Sequence, residues 1–396
     1  MMKRQITIDN LIIFFIAYNI AVSLSNDMYL TSMPLLVNFF NTSTQMIQLT
    51  LTVWFAGLVL LQLFMGPLCH KFGRKKLLIY GGGLFVAATM ICMCSKSIFI
   101  FLGGRFLQGI GVCSASVATI MCIREIYTHQ QSIKLFALLG VFGALVPVFA
   151  PLIGSYVQSL LSWQSIFVII LLLAIVPLFF LQRFVPESCN AKDNQQLNFN
   201  LLVESYREIL RNNFFIRNVL SYGILFGSLV AYVTFIPFLV IDYFHKSPTI
   251  LGCLQIVIFG AYMLGSLCVS YVKNHYLTSI MKVGYLFVFI SMAISFICIL
   301  TRLENLTLFS IKFFVYSFGA GILMSPMTAN SLNCVNQKHV GYASSLYGFL
   351  SMFISMCSSF LVSLTTSLIH FDFLLLIFIF ILLILQFRKR TLYAKA

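Results

Sequence analysis

The sequence predicts an all-α integral membrane protein, with twelve transmembrane helices arranged as two pseudo-symmetric bundles of six. Three observations carry that prediction. Of 396 residues, 60% are hydrophobic and 9% charged, against roughly 25% charged in a soluble domain. The apolar residues fall into twelve stretches, each near the ~20 residues that a helix needs to cross about 30 Å of hydrocarbon. The basic residues alternate in register with those stretches, as topogenic charges do.

The predicted spans are 11–37, 46–68, 77–95, 98–122, 133–157, 163–184, 215–240, 249–272, 279–301, 305–328, 340–366 and 370–387. Spans three and four are separated only by Ser95-Lys96-Ser97. The first stretch is too long for a signal-peptide core of roughly 7–15 residues and is expected to remain as helix 1. With the N-terminus inside, the inner segments hold twenty Lys and Arg and the outer ones three. Arg105 and Lys312 lie within helices. The bias places both termini on the cytoplasmic side of a cytoplasmic (inner) membrane.

Residues 185–214 form the one long polar stretch and divide the chain into an N-terminal bundle (1–184) and a C-terminal bundle (215–396). Within it, apolar residues at Phe199, Leu201, Leu202, Tyr206 and Ile209 alternate with Glu204, Arg207 and Glu208. That pattern predicts a helix lying on the inner membrane surface. Two echoes suggest related halves: Gly66-Pro67-Leu68-Cys69 with Gly265-Ser266-Leu267-Cys268, and Gly109-Ile110-Gly111 with Gly319-Ala320-Gly321. Paired halves with a binding site near the midplane are a recurrent plan for secondary transporters.

Composition excludes other classes. The net charge of +15 would suit nucleic acid only if the basic residues made a patch or arm, and they lie instead in short runs between apolar stretches. The eleven cysteines show no metal-ligand spacing and read as small apolar residues in helices. No phosphate-binding loop or catalytic signature occurs, and the loops are too short for a catalytic domain, so neither an enzyme nor an ATP-driven pump is supported. A channel is disfavoured because no ring of charge lines any helix. A non-transporting receptor or scaffold is the remaining class; it would show no alternating access. No cofactor is expected, and a monomer is.

Asp27 is the only carboxylate that the sequence places in the middle of a membrane segment, within Asn26-Asp27-Met28-Tyr29-Leu30-Thr31-Ser32-Met33-Pro34. An acid at that depth costs several kcal/mol and normally faces a cavity where it has a function. Burial favours the protonated form of a carboxyl group in general, so a proton taken up on one side and released on the other gives a means of coupling. Arg105, about a third of the way along helix 4 in Arg105-Phe106-Leu107-Gln108-Gly109-Ile110-Gly111, either finds a partner or snorkels to the interface.

The loop after helix 2 reads Gly66-Pro67-Leu68-Cys69-His70-Lys71-Phe72-Gly73-Arg74-Lys75-Lys76. It resembles the G-x-L-x-D-x-x-G-R-K/R signature of the major facilitator superfamily, with His70 in place of the acid. In that family the acid pairs with Arg and helps hold the inner gate shut. Helix 4 resembles the family's R-x-x-Q-G-x-G motif, whose Arg is linked to proton release. Arg124-Glu125 resembles the Arg-Asp pair at the end of that helix. Pro147, Pro151 and Gly154 on helix 5 resemble the G-P-x-x-G antiporter motif, with Ala150-Pro151 replacing Gly-Pro. The Asp27 segment is similar to D-M-Y-L-P-A-L-P of drug:proton antiporters of the bicyclomycin- and chloramphenicol-resistance type, with Thr31 for the first proline.

The resemblance implies the major facilitator fold and proton-coupled export of small amphipathic compounds by alternating access. Asp27 and Arg105 would couple the proton. Gly66, His70, Gly73, Arg74, Arg124, Glu125, Pro147, Pro151 and Gly154 would act in gating. Asn26, Tyr29, Trp54, Gln108, Tyr222, Phe226, Phe235, Lys312 and Tyr316 are candidates for the substrate cavity. Some relatives carry a second acid one or two turns before Asp27; here those positions are Asn19, Ile20 and Ser23. Lys312, two turns into helix 10, either snorkels or enters the cavity. In the second case Arg105 and Lys312 would set two cations against one acid. That would suit a specific metabolite or a carboxylate siderophore instead of a cationic drug.

Overall fold

Capping residues and first-turn prolines mark where helices start in this uniformly apolar chain. The computed structural model describes residues 2–186, 199–272, 276–302, 305–335, 339–365 and 367–387; the side chains of residues 2–10, Pro67, His70 and Lys134, among others, fall outside that description. The linker predicted around 187–198 also lies outside it. Among the described residues there is no strand, and twelve helices are long and apolar enough to cross a membrane. The chain forms two compact units, Met1–Leu201 and Leu202–Ala396.

The first unit contains α1 (Met2–Asp27), α2 (Met33–Phe39), α3 (Thr44–Gln62), α4 (Met65–Phe72), α5 (Arg74–Cys94), α6 (Ile98–Ile126), α7 (His129–Leu160) and α8 (Trp163–Phe184). Predicted helix 1 is not continuous. It stops at Asp27, passes through a 3-10 turn at Leu30–Ser32 and resumes as α2 with Pro34 in its first turn. Pro34 does not cause the break: Met33 before it is helical, and the proline occupies the first turn of α2, where its missing N–H costs little. Predicted helix 2 is also corrected: α3 ends at Gln62, and the expected loop from Gly66 is itself helical in α4. The reversal falls on Gly73, whose φ of 88° favours glycine. Ser95 and Ser97 hold extended backbone between α5 and α6, so three residues suffice to separate those helices.

The second unit begins within α9 (Phe199–Arg211), followed by α10 (Asn213–Phe238), a π-helical turn at Leu239–Tyr243, and α11 (Pro248–Ser270). It continues through α12 (Leu277–Thr301), α13 (Leu306–Asn333), α14 (Val340–Ser363) and α15 (Leu368–Phe387). Asn212 caps α10 by accepting from the Phe214 and Phe215 amides, and its amide donates to the Cys334 carbonyl at 3.1 Å. The end of α13 is thereby tied to the start of α10. Helix α9 is anchored on the second unit through its later residues. Tyr206 packs edge-on against Tyr342 of α14, and Glu208 faces His339 at 3.5 Å. Burial pushes the Tyr206 hydroxyl up to about 12, so it remains a hydrogen-bond donor at neutral pH.

The two units repeat one packing contact, in a register that the sequence echoes misassigned. A Cβ on Gly57 would overlap the Phe106 carbonyl, and one on Gly109 the Trp54 carbonyl. In the second unit a Cβ on Gly265 would overlap the Phe318 carbonyl, and one on Gly321 the Tyr262 carbonyl. Gly265 therefore corresponds to Gly57, not Gly66, and Gly109 to Gly321, not Gly319. In each unit a reciprocal pair of glycines lets two helices touch backbone to backbone, the usual way helices associate in lipid.

Candidate functional site

Arg105 holds the end of α1 in place. It is fully buried. Its Nη1 donates to the Ser25 carbonyl at 2.8 Å and to Gln108 Oε1 at 2.6 Å. Ser25 lies in the last turn of α1, where carbonyls lose their helical partners, and a basic side chain satisfies them well. Gln108 Nε2 in turn donates to Thr89 Oγ1 at 2.9 Å, and Thr89 to the Phe85 carbonyl. A chain of hydrogen bonds thus runs from α5 through α6 to the last turn of α1. The guanidinium lies 4.3 Å from the Tyr29 ring centroid and 5.8 Å from that of Trp54. Snorkelling of Arg105 is ruled out by these contacts.

Asp27 is the last residue of α1, half-buried, and accepts from Asn26 Nδ2 at 2.9 Å. The Arg105 charge acts on its carboxyl, yet the two form no direct ion pair among the described residues. Arg105 Nε and Nη2 and the Trp54 indole N–H have no hydrogen-bond partner there. Buried donors of this kind call for water or a bound ligand. The acid and a cation with spare donors therefore face a helix break without neutralising each other.

The neighbouring wall is built from α7. A Cβ on Gly154 would overlap the Met28 carbonyl, so that helix packs directly on the turn following Asp27. Ser32 Oγ donates to Gln158 Oε1 at 2.8 Å one turn further on. Pro147 and Pro151 lie inside α7 without ending it. Gly140 and Gly143 have nothing against them within 4 Å, so of these three glycines Gly154 is the one in close approach. Gly154→Val would force α7 off the turn; overpacking of this kind costs about 1–3 kcal/mol. The expected result is a lowered melting temperature of the purified protein and slower transport, with Gly140→Val close to wild type on both.

Tyr29 is fully buried, with its hydroxyl 3.0 Å from Thr50 Oγ1 and its ring beside Phe101 and Phe167. It serves as a platform beneath Arg105. In the second unit Tyr222 and Phe226 are half-buried and stacked at 6.1 Å, and Tyr347 lies 5.0 Å from Tyr222. Tyr316 donates to the Leu225 carbonyl at 3.1 Å. Phe235 stacks on Phe371 at 4.4 Å.

Lys312 neither snorkels nor presents a free charge. It is buried and forms an ion pair with Asp372 of α15, which is buried as well. Asp372 is the buried counter-charge that sequence reasoning missed. It falls within the last membrane span, so Asp27 is not the sole intramembrane acid. Its place near the start of predicted helix 12 resembled a boundary position. The signal was Lys312 itself, since a cation at that depth requires a counter-charge. The local excess of two cations over one acid, which motivated the anionic-substrate alternative, is absent at Lys312.

At the far end of α6, Glu125 receives Arg74 at 2.7 Å, and Arg124 lies over Phe136. Arg74 follows the Gly73 reversal directly, and that reversal brings it to α6. The side chain of His70 is outside the described residues. Exposed pairs of this type are worth less than about 1 kcal/mol. Glu125→Gln should therefore leave the melting temperature nearly unchanged; a change in transport without a change in melting would mark the pair as a gate contact.

Among the described residues, twelve membrane-length helices in two units, with charges buried inside each, define a multi-pass membrane protein. Residues 15–359 match the family model described as the Major Facilitator Superfamily. The chain belongs to that family, and it is a transporter, not an enzyme. It is 29% identical over 255 residues, 64% of this chain, to the multidrug transporter MdfA of Yersinia pestis bv. Antiqua (strain Angola). The match spans 62% of that relative's length. It is 25% identical to MdfA of Escherichia coli O157:H7 over 86% of this chain and 82% of that one. Its fold is like that of the nucleoside transporter NupG (TM-score 0.71, 12% identity, 95% and 98% coverage). It is also like the inward-open xylose transporter XylE from E. coli (TM-score 0.69, 15% identity, 95% and 96% coverage).

Proposed function

We propose that this protein exports small amphipathic compounds in exchange for protons, with Asp27 as the protonation site. The observation that supports this best is the arrangement at the end of α1. Asp27 sits at a helix break with a buried cation held near it but not paired to it. A carboxyl group so placed can change protonation without breaking an ion pair. Arg105, fixed to the Ser25 carbonyl, senses the same turn. The relatives named multidrug transporters support the export reading. The energy source would be the proton gradient, with no cofactor, across a cytoplasmic membrane with both termini inside. The site residues around Asp27 are Asn26, Arg105, Gln108 and Trp54, and a monomer is enough to hold them.

The direct test is substrate-driven uptake of protons by vesicles containing the purified protein. With a lipophilic cation or chloramphenicol as probe, an imposed pH gradient should drive substrate movement, and Asp27→Asn should stop it. Substrate movement in the mutant equal to wild type would sink the proposal.

A further inference from the structure

We propose that the Asp372 carboxylate and the aromatic rings around it form a binding site for an organic cation, with the Lys312 ammonium as its resident, tethered occupant. The inference extends the export reading to a substrate class, but its test needs no transport, so the two can fail separately.

The Lys312 ammonium lies 4.5 Å from the Phe309 ring centroid and 5.6 Å from that of Phe313. Phe371, the neighbour of Asp372, lies 5.9 Å from Phe309 and 6.0 Å from Phe313. Tyr232 of α10 packs on both, at 6.1 and 4.5 Å. Phe235 closes the side next to Phe371 at 4.4 Å. One acid enclosed by rings from three helices is the chemistry that recognises a substituted ammonium or phosphonium ion.

Two further features suit an exchangeable occupant. An ammonium carries three donors, and among the described residues Lys312 makes a single hydrogen bond, to Asp372. The Tyr232 hydroxyl, fully buried beside the same rings, has no partner among them. Polar groups left unsatisfied in a buried site call for something more than a structural pair.

The geometry also selects a cation over an anion. Ring faces are negative, so they attract a cation and repel a carboxylate. An entering anion would meet both the ring faces and the like charge of the Asp372 carboxylate. An entering cation has to expel Lys312 and part the Phe309, Phe313, Phe371 and Tyr232 rings, which are fully buried. Lys312 lies six positions into α13, roughly 9 Å of helix rise, and its long stem can carry the charge to the interface. The exchange keeps the buried charge balanced at every stage.

The test is equilibrium binding of tetraphenylphosphonium to the purified full chain in detergent, with Asp27→Asn present throughout so that the acid of α1 does not contribute. Lys312→Met removes the competitor and should tighten binding about tenfold or more, since a desolvated cation–ring contact is worth at least one decade. Adding Asp372→Asn should abolish the gain. Binding no tighter in Lys312→Met than with Lys312 intact, or a gain that survives Asp372→Asn, overturns the proposal. If Lys312→Met does not fold, labelling of the wild-type protein decides. Tetraphenylphosphonium should raise the acylation of Lys312 by an amine-reactive ester several-fold, with triphenylphosphine oxide as neutral control. Unchanged labelling overturns the proposal.

Discussion

Asp27→Asn is expected to abolish substrate-induced proton release from the detergent-solubilised protein while leaving it folded. Asn is close to Asp in shape, and it keeps a carbonyl oxygen to accept from Asn26 Nδ2. No ion pair to Asp27 is lost, because none exists among the described residues. The mutation therefore removes a titration and little else. If substrate binds the deprotonated form, its affinity in the wild type should rise with pH across the range where the site titrates, and one proton should leave per substrate bound. By reciprocity of linked binding, the mutant should show neither the slope nor the release. A mutant that retains the pH slope would move the coupling site elsewhere and leave Asp27 with a structural role.

Lys312→Met is expected to cause the largest loss of stability among single substitutions in the second unit. Removing one partner of a buried ion pair strands the other, which typically costs about 3–5 kcal/mol. Asp372 is the partner that suffers most, since it is buried among rings and its side chain is short. Asp372→Asn should cost less, because the Lys312 stem can turn its charge toward the interface. The double substitution Lys312→Met with Asp372→Asn should recover most of the loss. The check is the apparent melting temperature of the four proteins at one heating rate. Equal losses in the two single mutants would show that Lys312 cannot leave its place, and so would also weaken the tethered-occupant proposal.

Much of this was legible along the chain because membrane helices advertise themselves. A segment that must satisfy its own backbone in lipid has to be a helix of fixed minimum length, so the spans could be counted from apolar runs. Asp27 stood out for the same reason: an acid in such a run is costly. The break at Asp27 was not legible: Pro34 was visible, but it marks where α2 starts and not where α1 stops. The end depends on which side chain caps the freed carbonyls, and that side chain is Arg105, distant in sequence. The repeat was recognised but misregistered. Glycine doublets look alike in a sequence, and only the facing carbonyls distinguish Gly57 from Gly66 or Gly321 from Gly319.

The class of protein, the number of spans and the acid on the first helix could all be read from the amino-acid order. Each follows from a local property: apolar length, charge bias or one unusual residue. The state of the buried charges depends on how the helices pack. Arg105 is a cap with spare donors, and Lys312 is matched by Asp372. A charge in lipid must find a partner, but the partner comes from another helix, and which helices adjoin is set by where small residues let backbones meet.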